Sequence, residues 1–378
     1  MKKFNKAKSK ILEELKKSKD KFGKISSIDF QKIIINNLTF IKDGHFGINA
    51  LQPLRKTYAF MNKEESILKN NSIFYIKEGN DPINYIKPSI DEKGKIIYKI
   101  VCLKESTNNS CDINITIKDK EEIEKKINLK KIASSPSLLK NKAYSFKEVE
   151  GIPVFKVSSF GKHLNLEKLS EDGLKYSDKN IAILDLRGNT GGLHTPGLKW
   201  IGNFTNNNMN NVSMLKHINA SLINEVAKKR VLKMAVDVDK NKIEEAVFEV
   251  DNNLRKKFDI MGWCKISIPE FEKFKNDKVI IVLFDKDTIS AGEAMISHLN
   301  YMENVIFIGT NSYGALNVTS PAGNILPNTK TRVFAGLELD IEPDFVWRDG
   351  IGYFPDFWVE PEDALDRIIK FVNNYIKH

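Results

Sequence analysis

Four short and almost wholly apolar runs lie within residues 151–309: "GIPVFKVSSF" (151–160), "IAILDLRG" (181–188), "VIIVLF" (279–284) and "NVIFIG" (304–309). Runs of this length without polar alternation have to be buried on both faces, which for strands means a sheet covered by helices on each side. One run is followed at helical spacing by "AGEAMISHLNYM". The recurrence of buried strand and helix specifies an α/β layer structure.

The rest of the chain reads differently. Residues 1 to about 45 have the pattern of two helices. The first turns Phe4, Ile11, Leu12 and Leu15 inward, and the second, "SIDFQKIIINNLTFI", has Asp29 placed to cap it. From about Ser72 to Lys131 the segments "SIFYIKE", "KIIYKIVCLKE" and "CDINITIKD" alternate apolar and polar residues between Gly or Asn turns, as strands do. "ASSPSLLKNKAY" (133–144) then serves as a connector. These shifts divide the chain into an N-terminal helical region (1–60), a small β-rich domain (61–143) and an α/β domain (144–378). The last is interrupted at about 202–277 by an Asn-rich stretch and two helical patterns, "ASLINEVAKKRVLKMAV" and "IEEAVFEVDNNLRKKF".

A formal charge of +10 raises the question of a nucleic-acid partner. Ten lysines against three acids give residues 1–24 a net of +7, which leaves +3 for the remainder, and only seven of the 59 basic residues are Arg. A local lysine run on an amphipathic helix, without an Arg-rich patch or a recognition motif, argues against nucleic-acid binding. No stretch approaches the roughly 18 apolar residues of a membrane-spanning helix, and the basic start lacks an apolar core for export. A cytoplasmic location is the expectation, with export as the alternative. Cys102, Cys111 and Cys264 have no metal spacing, and reduced thiols are expected. His163, His217 and His298 likewise show no zinc pattern.

Two stretches carry chemistry. In "DTISAGEAMI" (287–296) a lone hydroxyl, Ser290, stands between a buried strand and a helix, with only Ala291 and Gly292 beside it. Bare N–H groups and the positive end of the dipole there favour an alkoxide and the oxyanion that its attack creates. The competing role is structural, because Ser290 and Glu293 also form a helix capping box. In "LDLRGNTGG" (184–192) an apolar strand empties into Gly188, Gly191 and Gly192, whose N–H groups can face a ligand or simply make a tight turn.

Taken together and in order, "DLRGNTGG", "SAGE" and "IGTNSYGA" resemble the serine peptidases that include the tail-specific (C-terminal processing) proteases and the tricorn core protease. "GIPVFKVSSF" is similar to the opening strand of that family and "GIGYFPDFWV" to its closing Gly-x-x-Pro-Asp segment; "DGHFG" adds a turn. The resemblance implies a spiral of β-β-α units like that of the Clp protease and crotonase folds. It also implies acyl transfer on protein or peptide substrates, with no metal and no organic cofactor. The β-rich segment lacks a clear carboxylate-binding loop of the PDZ type, although its position suggests a substrate-facing role.

A departure from the family pattern selects the mechanism. The tail-specific branch has a general-base lysine about 25 residues after its serine, where this chain has Ala315. A methyl group takes no proton. The tricorn-like branch uses a histidine held by a carboxylate, and the resemblance then assigns His45 in "KDGHFGI" as base and Asp349 in "WRDGIGYFPD" as its orienter, with Ser290 as nucleophile. Glu342 and Glu338 remain alternatives to Asp349, since the family more often has Glu there. The oxyanion hole falls to Ala291 with Gly191 or Gly192. Asp185 and Arg187 are expected to pair structurally beneath the glycine turn, and His194 to be a substrate-side or surface residue. The rival reading is an inactive relative that keeps the cleft to bind peptides or other ligands.

Overall fold

The computed structural model describes residues 2–20, 23–41, 43–49, 143–161, 166–207, 244–245, 273–319, 321–326, 328–329, 331–336 and 338–375, with only the backbone of strands at 57–61, 74–78, 81–83, 102–107, 113–118, 124–131 and 216–219. The chain forms two compact units, each assembled from three separate stretches. Unit 1 takes Met1–Arg55, Ser213–Phe271 and Ala315–Gly350; unit 2 takes Lys56–Val212, Glu272–Gly314 and Ile351–His378.

In unit 1 the helix α1 (Lys2–Lys17) does not turn its whole apolar stripe inward. Ala7 is its buried residue, whereas Phe4 and Leu12 stay about half exposed, Phe4 meeting Phe40 edge-on at 4.9 Å. A helix with lysines on most of its faces settles on the surface through its smallest residue. The next helix, α2 (Ser27–Asn37), is capped by Ser26 and not by Asp29. Ser26 Oγ accepts the Asp29 N–H at 3.0 Å and donates to Asp29 Oδ2 at 2.6 Å. The cap must be extended and precede the first turn, as Ser26 is and does, and Asp29 lies within that turn, where its carboxylate complements the dipole. Beyond α2, Ile35, Phe46 and Ile48 make a small core with Val333 and Ala335.

Strand β1 (Gly47–Ile48) belongs to this unit. In unit 2, β2 (Thr57–Met61), β3 (Phe74–Glu78), β4 (Asp81–Ile83), β5 (Cys102–Thr107), β6 (Ile113–Lys118) and β7 (Glu124–Lys131) form one antiparallel sheet in the order β4-β3-β2-β7-β6-β5. The patterned segments "SIFYIKE", "KIIYKIVCLKE" and "CDINITIKD" contain or overlap β3, β5 and β6. Pro82 sits in the edge strand β4, where its missing N–H breaks no ladder.

The buried runs then build the main sheet of unit 2. A hairpin of β8 (Tyr144–Val149) and β9 (Ile152–Val157) turns through Glu150 and Gly151, both at positive φ as a two-residue turn requires. Next come α3 (Glu167–Lys175), β10 (Ile181–Asp185) and α4 (Thr195–Thr205). Strand β11 (Lys216–Asn219) belongs to unit 1, while β12 (Val279–Phe284), α5 (Ala291–Asn300) and β13 (Val305–Gly309) return to unit 2. Unit 1 also holds β14 (Val318–Thr319), β15 (Ala322–Ile325), β16 (Arg332–Ala335) and β17 (Glu338–Ile341), paired as β1-β16-β15 and β11-β17-β14. Unit 2 closes with β18 (Phe357–Trp358) and α6 (Ala364–Tyr375). Its sheet runs β18-β13-β12-β10-β9-β8, parallel except for the hairpin.

Successive residues of β10 and β12 are buried on both faces, as the uninterrupted runs require. One face packs Ile183, Ile281, Leu283 and Ile308 against Ile368, Ile369 and Val372 of α6. Elsewhere in the unit Phe155 lies edge-on to Trp200, which stacks on Phe204 within α4. Most of the two helical patterns in 202–277, along with His163, Cys111 and Cys264, lies outside the described residues. Among the described residues no helix is long and apolar enough to cross a membrane.

Candidate active site

The chain leaves β12 through a loop anchored to the end of β10. Asp285 Oδ1 accepts the N–H groups of Gly188 (2.9 Å) and Asp287 (3.1 Å), and Thr288 Oγ1 donates to Leu186 O at 2.8 Å. Burial pushes the Asp285 carboxyl above its ordinary pKa, against the pull of the Gly188 N–H. The loop delivers Ser290, half-buried, to the N-terminus of α5 with φ 56 and ψ −114. An ordinary cap is extended. A non-glycine residue held at this φ costs on the order of 1–3 kcal/mol and persists only where its surroundings impose it.

Glu293 is a large part of those surroundings. Fully buried, it accepts the Ser290 N–H on Oε2 at 3.1 Å, and on Oε1 the Ser312 hydroxyl at 2.6 Å and the Gly314 N–H at 2.7 Å. The same carboxylate that completes a capping box therefore ties the serine turn to the segment after β13. Sequence reasoning recognised only the cap.

Across from Ser290 lies the glycine turn. Gly191, at φ 79, leaves room where a Cβ would stand 2.9 Å from Ser290 Cβ and 3.4 Å from its Oγ. Gly192, at φ 132, passes so close to Phe160 that a Cβ would fall 2.0 Å from that carbonyl oxygen. Asn189, fully buried, braces the turn: its Nδ2 donates to Val157 O at 2.7 Å, its Oδ1 accepts the Gly191 N–H at 2.9 Å, and its own carbonyl accepts the Ile289 N–H at 3.0 Å. The Gly191 N–H is thus already used within the turn. For the N–H groups of Gly192 and Ala291 no acceptor is found among the described residues. Asn189 lay in plain view within "RGNTGG", but a polar residue between glycines reads as a loop residue until its burial is known.

Beneath the turn, Asp185 and Arg187 make the expected pair, with Nε and Nη2 at 2.8 and 2.7 Å and Lys156 adding a third contact at 3.0 Å. Burial alone would raise the Asp185 pKa, but the hydrogen bonds and charge of Arg187, with Lys156, outweigh it and hold the carboxyl below its usual range. His194 is half-buried at the start of α4, its ring 5.2 Å from that of the fully buried His298. Burial, then the nearby His194, draws the His298 pKa down to about 3.

Unit 1 carries the other two candidates. His45 Nδ1 lies 2.5 Å from Val318 O. The turn around it is held by two buried carboxylates. Asp43 accepts the N–H groups of His45 (2.7 Å) and Gly336 (3.0 Å). Asp349 accepts Gly44 (3.0 Å) and Val318 (3.3 Å) on Oδ2, and Leu316 (2.9 Å) and Asn317 (2.7 Å) on Oδ1. Burial raises the Asp349 pKa, opposed by the N–H groups of Gly44, Asn317 and Leu316 and by the nearby His45. Of the alternatives, Glu342 is bound to Arg348 Nε at 2.6 Å, and the Glu338 side chain lies outside the described residues. Ala315, at the lysine's place, is fully buried. Ser290, Gly191, Gly192 and Ala291 thus belong to one compact unit, and His45 and Asp349 to the other.

The profile of peptidase family S41 matches residues 152–334. This region is that of an S41 peptidase. It contains Ser290, the glycine turn, Glu293 and Ala315, while His45 and Asp349 lie outside the matched stretch. The match supports a serine-type hydrolase that acts on protein substrates. Among solved structures it is similar to a serine-to-alanine mutant of CPAF, at 12% identity over 98% of this chain and 92% of that one, with a TM-score of 0.50. The photosystem II D1 C-terminal processing protease matches at 12% identity over 89% and 83% of the two chains, TM-score 0.37. The tricorn protease matches at 12% over 94% of this chain and 33% of that one, TM-score 0.36. The likeness to the CPAF mutant is one of fold, and agrees with the α/β architecture of an S41 peptidase. No curated protein matches the chain in sequence.

Proposed function

We propose that the chain hydrolyses peptide bonds through an acyl-enzyme, with Ser290 as nucleophile and His45 as general base. His45 Nε2 takes the hydroxyl proton as Ser290 Oγ bonds to the scissile carbonyl carbon. The resulting oxyanion is met by the N–H groups of Ala291 and Gly192. The imidazolium then gives its proton to the departing amine, and water repeats the sequence to release the acid. Asp349 serves as the acid of the set, keeping the His45 turn in place.

The observation that carries this reading is the backbone of Ser290. Capping alone needs an extended residue, whereas φ 56 and ψ −114 lift a hydroxyl over the bare glycine turn in the manner of a strained nucleophile elbow. The test is labelling with a fluorophosphonate probe in the native chain, Ser290→Ala and His45→Ala. Ser290→Ala is expected to abolish capture, and His45→Ala to reduce it by at least about 1,000-fold. Equal labelling of all three would end the proposal and favour the peptide-binding alternative.

A further inference from the structure

We infer that the acceptor fixing the His45 tautomer is a main-chain carbonyl, Val318 O, and that Asp349 is a positioning residue acting on His45 only through the backbone. The inference rests on the proposed role of His45 as base. It departs from a triad in which a carboxylate oxygen bonds the imidazole directly.

The argument is one of acceptor capacity. A carboxylate offers about four lone-pair sites, and four main-chain N–H groups approach Asp349, two on each oxygen, at 2.7 to 3.3 Å. No site is left for an imidazole N–H. Two of these donors flank the histidine contact: Gly44 precedes His45 in the chain, and the Val318 N–H belongs to the residue whose carbonyl lies 2.5 Å from Nδ1. Asp349 therefore holds both ends of the His45 to Val318 bond without entering it. Asp43 adds a second clamp through the His45 N–H.

The chemical consequence follows from donor and acceptor roles. A carbonyl oxygen accepts only, so Nδ1 must carry the proton and Nε2 must present its lone pair. The imidazolium formed during catalysis is then stabilised by a dipole at contact and by the Asp349 charge only from behind the backbone. Because a carbonyl oxygen cannot donate, the arrangement excludes the opposite tautomer as a carboxylate would.

The direct test uses the native chain with ¹⁵N-labelled histidine and ¹³C-carbonyl-labelled valine. A through-hydrogen-bond coupling from protonated His45 Nδ1 to the Val318 carbonyl is expected, assigned by its loss in His45→Ala. Coupling instead to an aspartate side-chain carboxyl, in a sample labelled there, would overturn the inference. The second arm replaces Thr319 by its α-hydroxy acid, which turns the Val318 carbonyl into a weaker ester acceptor. This is expected to move the Nδ1 signal and lower kcat about fivefold with KM unchanged. An unaltered Nδ1 signal and kcat would also overturn it. The NMR readouts need no turnover, so loss of the peptidase reading and loss of this one are separately visible.

Discussion

A serine that merely capped α5 could have kept the extended backbone that Ser26 has at the start of α2. Ser290 does not, and the residues that impose its conformation are buried: Glu293 from within the helix, Asn189 and Asp285 from the adjoining loops. Gly192 is the least replaceable neighbour. Its positive φ and the 2.0 Å approach of a Cβ to Phe160 O leave no path for alanine short of moving backbone. Gly192→Ala is expected to cost at least about 3 kcal/mol in urea unfolding and to lower kcat/KM by more than about 100-fold. Asp285 carries a pH signature. Its folded pKa is raised by burial, so its contribution to stability is full below the ordinary aspartate range and is lost as pH rises through the folded value. Asp285→Asn keeps the oxygen that accepts the Gly188 N–H and removes the charge. Unfolding midpoints of this variant relative to the native chain should therefore rise as pH climbs above the ordinary aspartate range; a flat difference would show that the carboxyl binds its proton equally in the folded and unfolded chain. At this scale the sequence was informative about side chains and silent about main chain. Ser290 stood out by its place between a buried strand and a helix, and His45 and Asp349 entered only through the family resemblance, but the Val318 carbonyl has no signature, since every residue has one.

Among the elements, the strands buried on both faces were the most legible. β10, β12 and β13 are continuous apolar runs because helices cover both sides, and no other environment would tolerate them. Helix α2 was legible except for its cap, where Ser26 and Asp29 are both capping types three positions apart. Helix α1 was misread because its stripe was judged by type, while burial depends on what lies opposite, and Phe4 and Leu12 meet too little. In α5 the helix itself was clear, but the environment of His298 was not: neither ring nitrogen has a hydrogen-bond partner among the described residues, and burial lowers its pKa to about 3. A folded pKa depressed below about 6.5 means that this stabilisation is complete above that value and is lost as pH falls towards about 3. His298→Leu breaks no hydrogen bond of the ring. It is expected to retain several kcal/mol more stability than the native chain near pH 4, read by urea unfolding, with little difference at pH 8. An unchanged acid limb would assign that limb to other groups.

For the molecule as a whole, charge and stability separate. Residues 1–24 hold +7 of the +10, yet α1 buries only Ala7 fully. Deleting residues 1–24 should cost about 1–2 kcal/mol in thermal unfolding and sharply reduce retention on a cation exchanger. A collapse of the fold would mean that α1 is part of the core of unit 1. The division into two units was not legible, because each is assembled from three separate stretches and no local pattern tells which stretches come together. Interleaving also sets a timetable. During synthesis the imidazole emerges early and the hydroxyl much later, but the unit that braces the histidine is unfinished until Gly350 has been made. A nascent chain stalled between Ser290 and Asp349 contains both groups of the proposed pair but lacks the carboxylate that clamps the His45 turn, so a ribosome carrying it holds the two with no means of aiming the first.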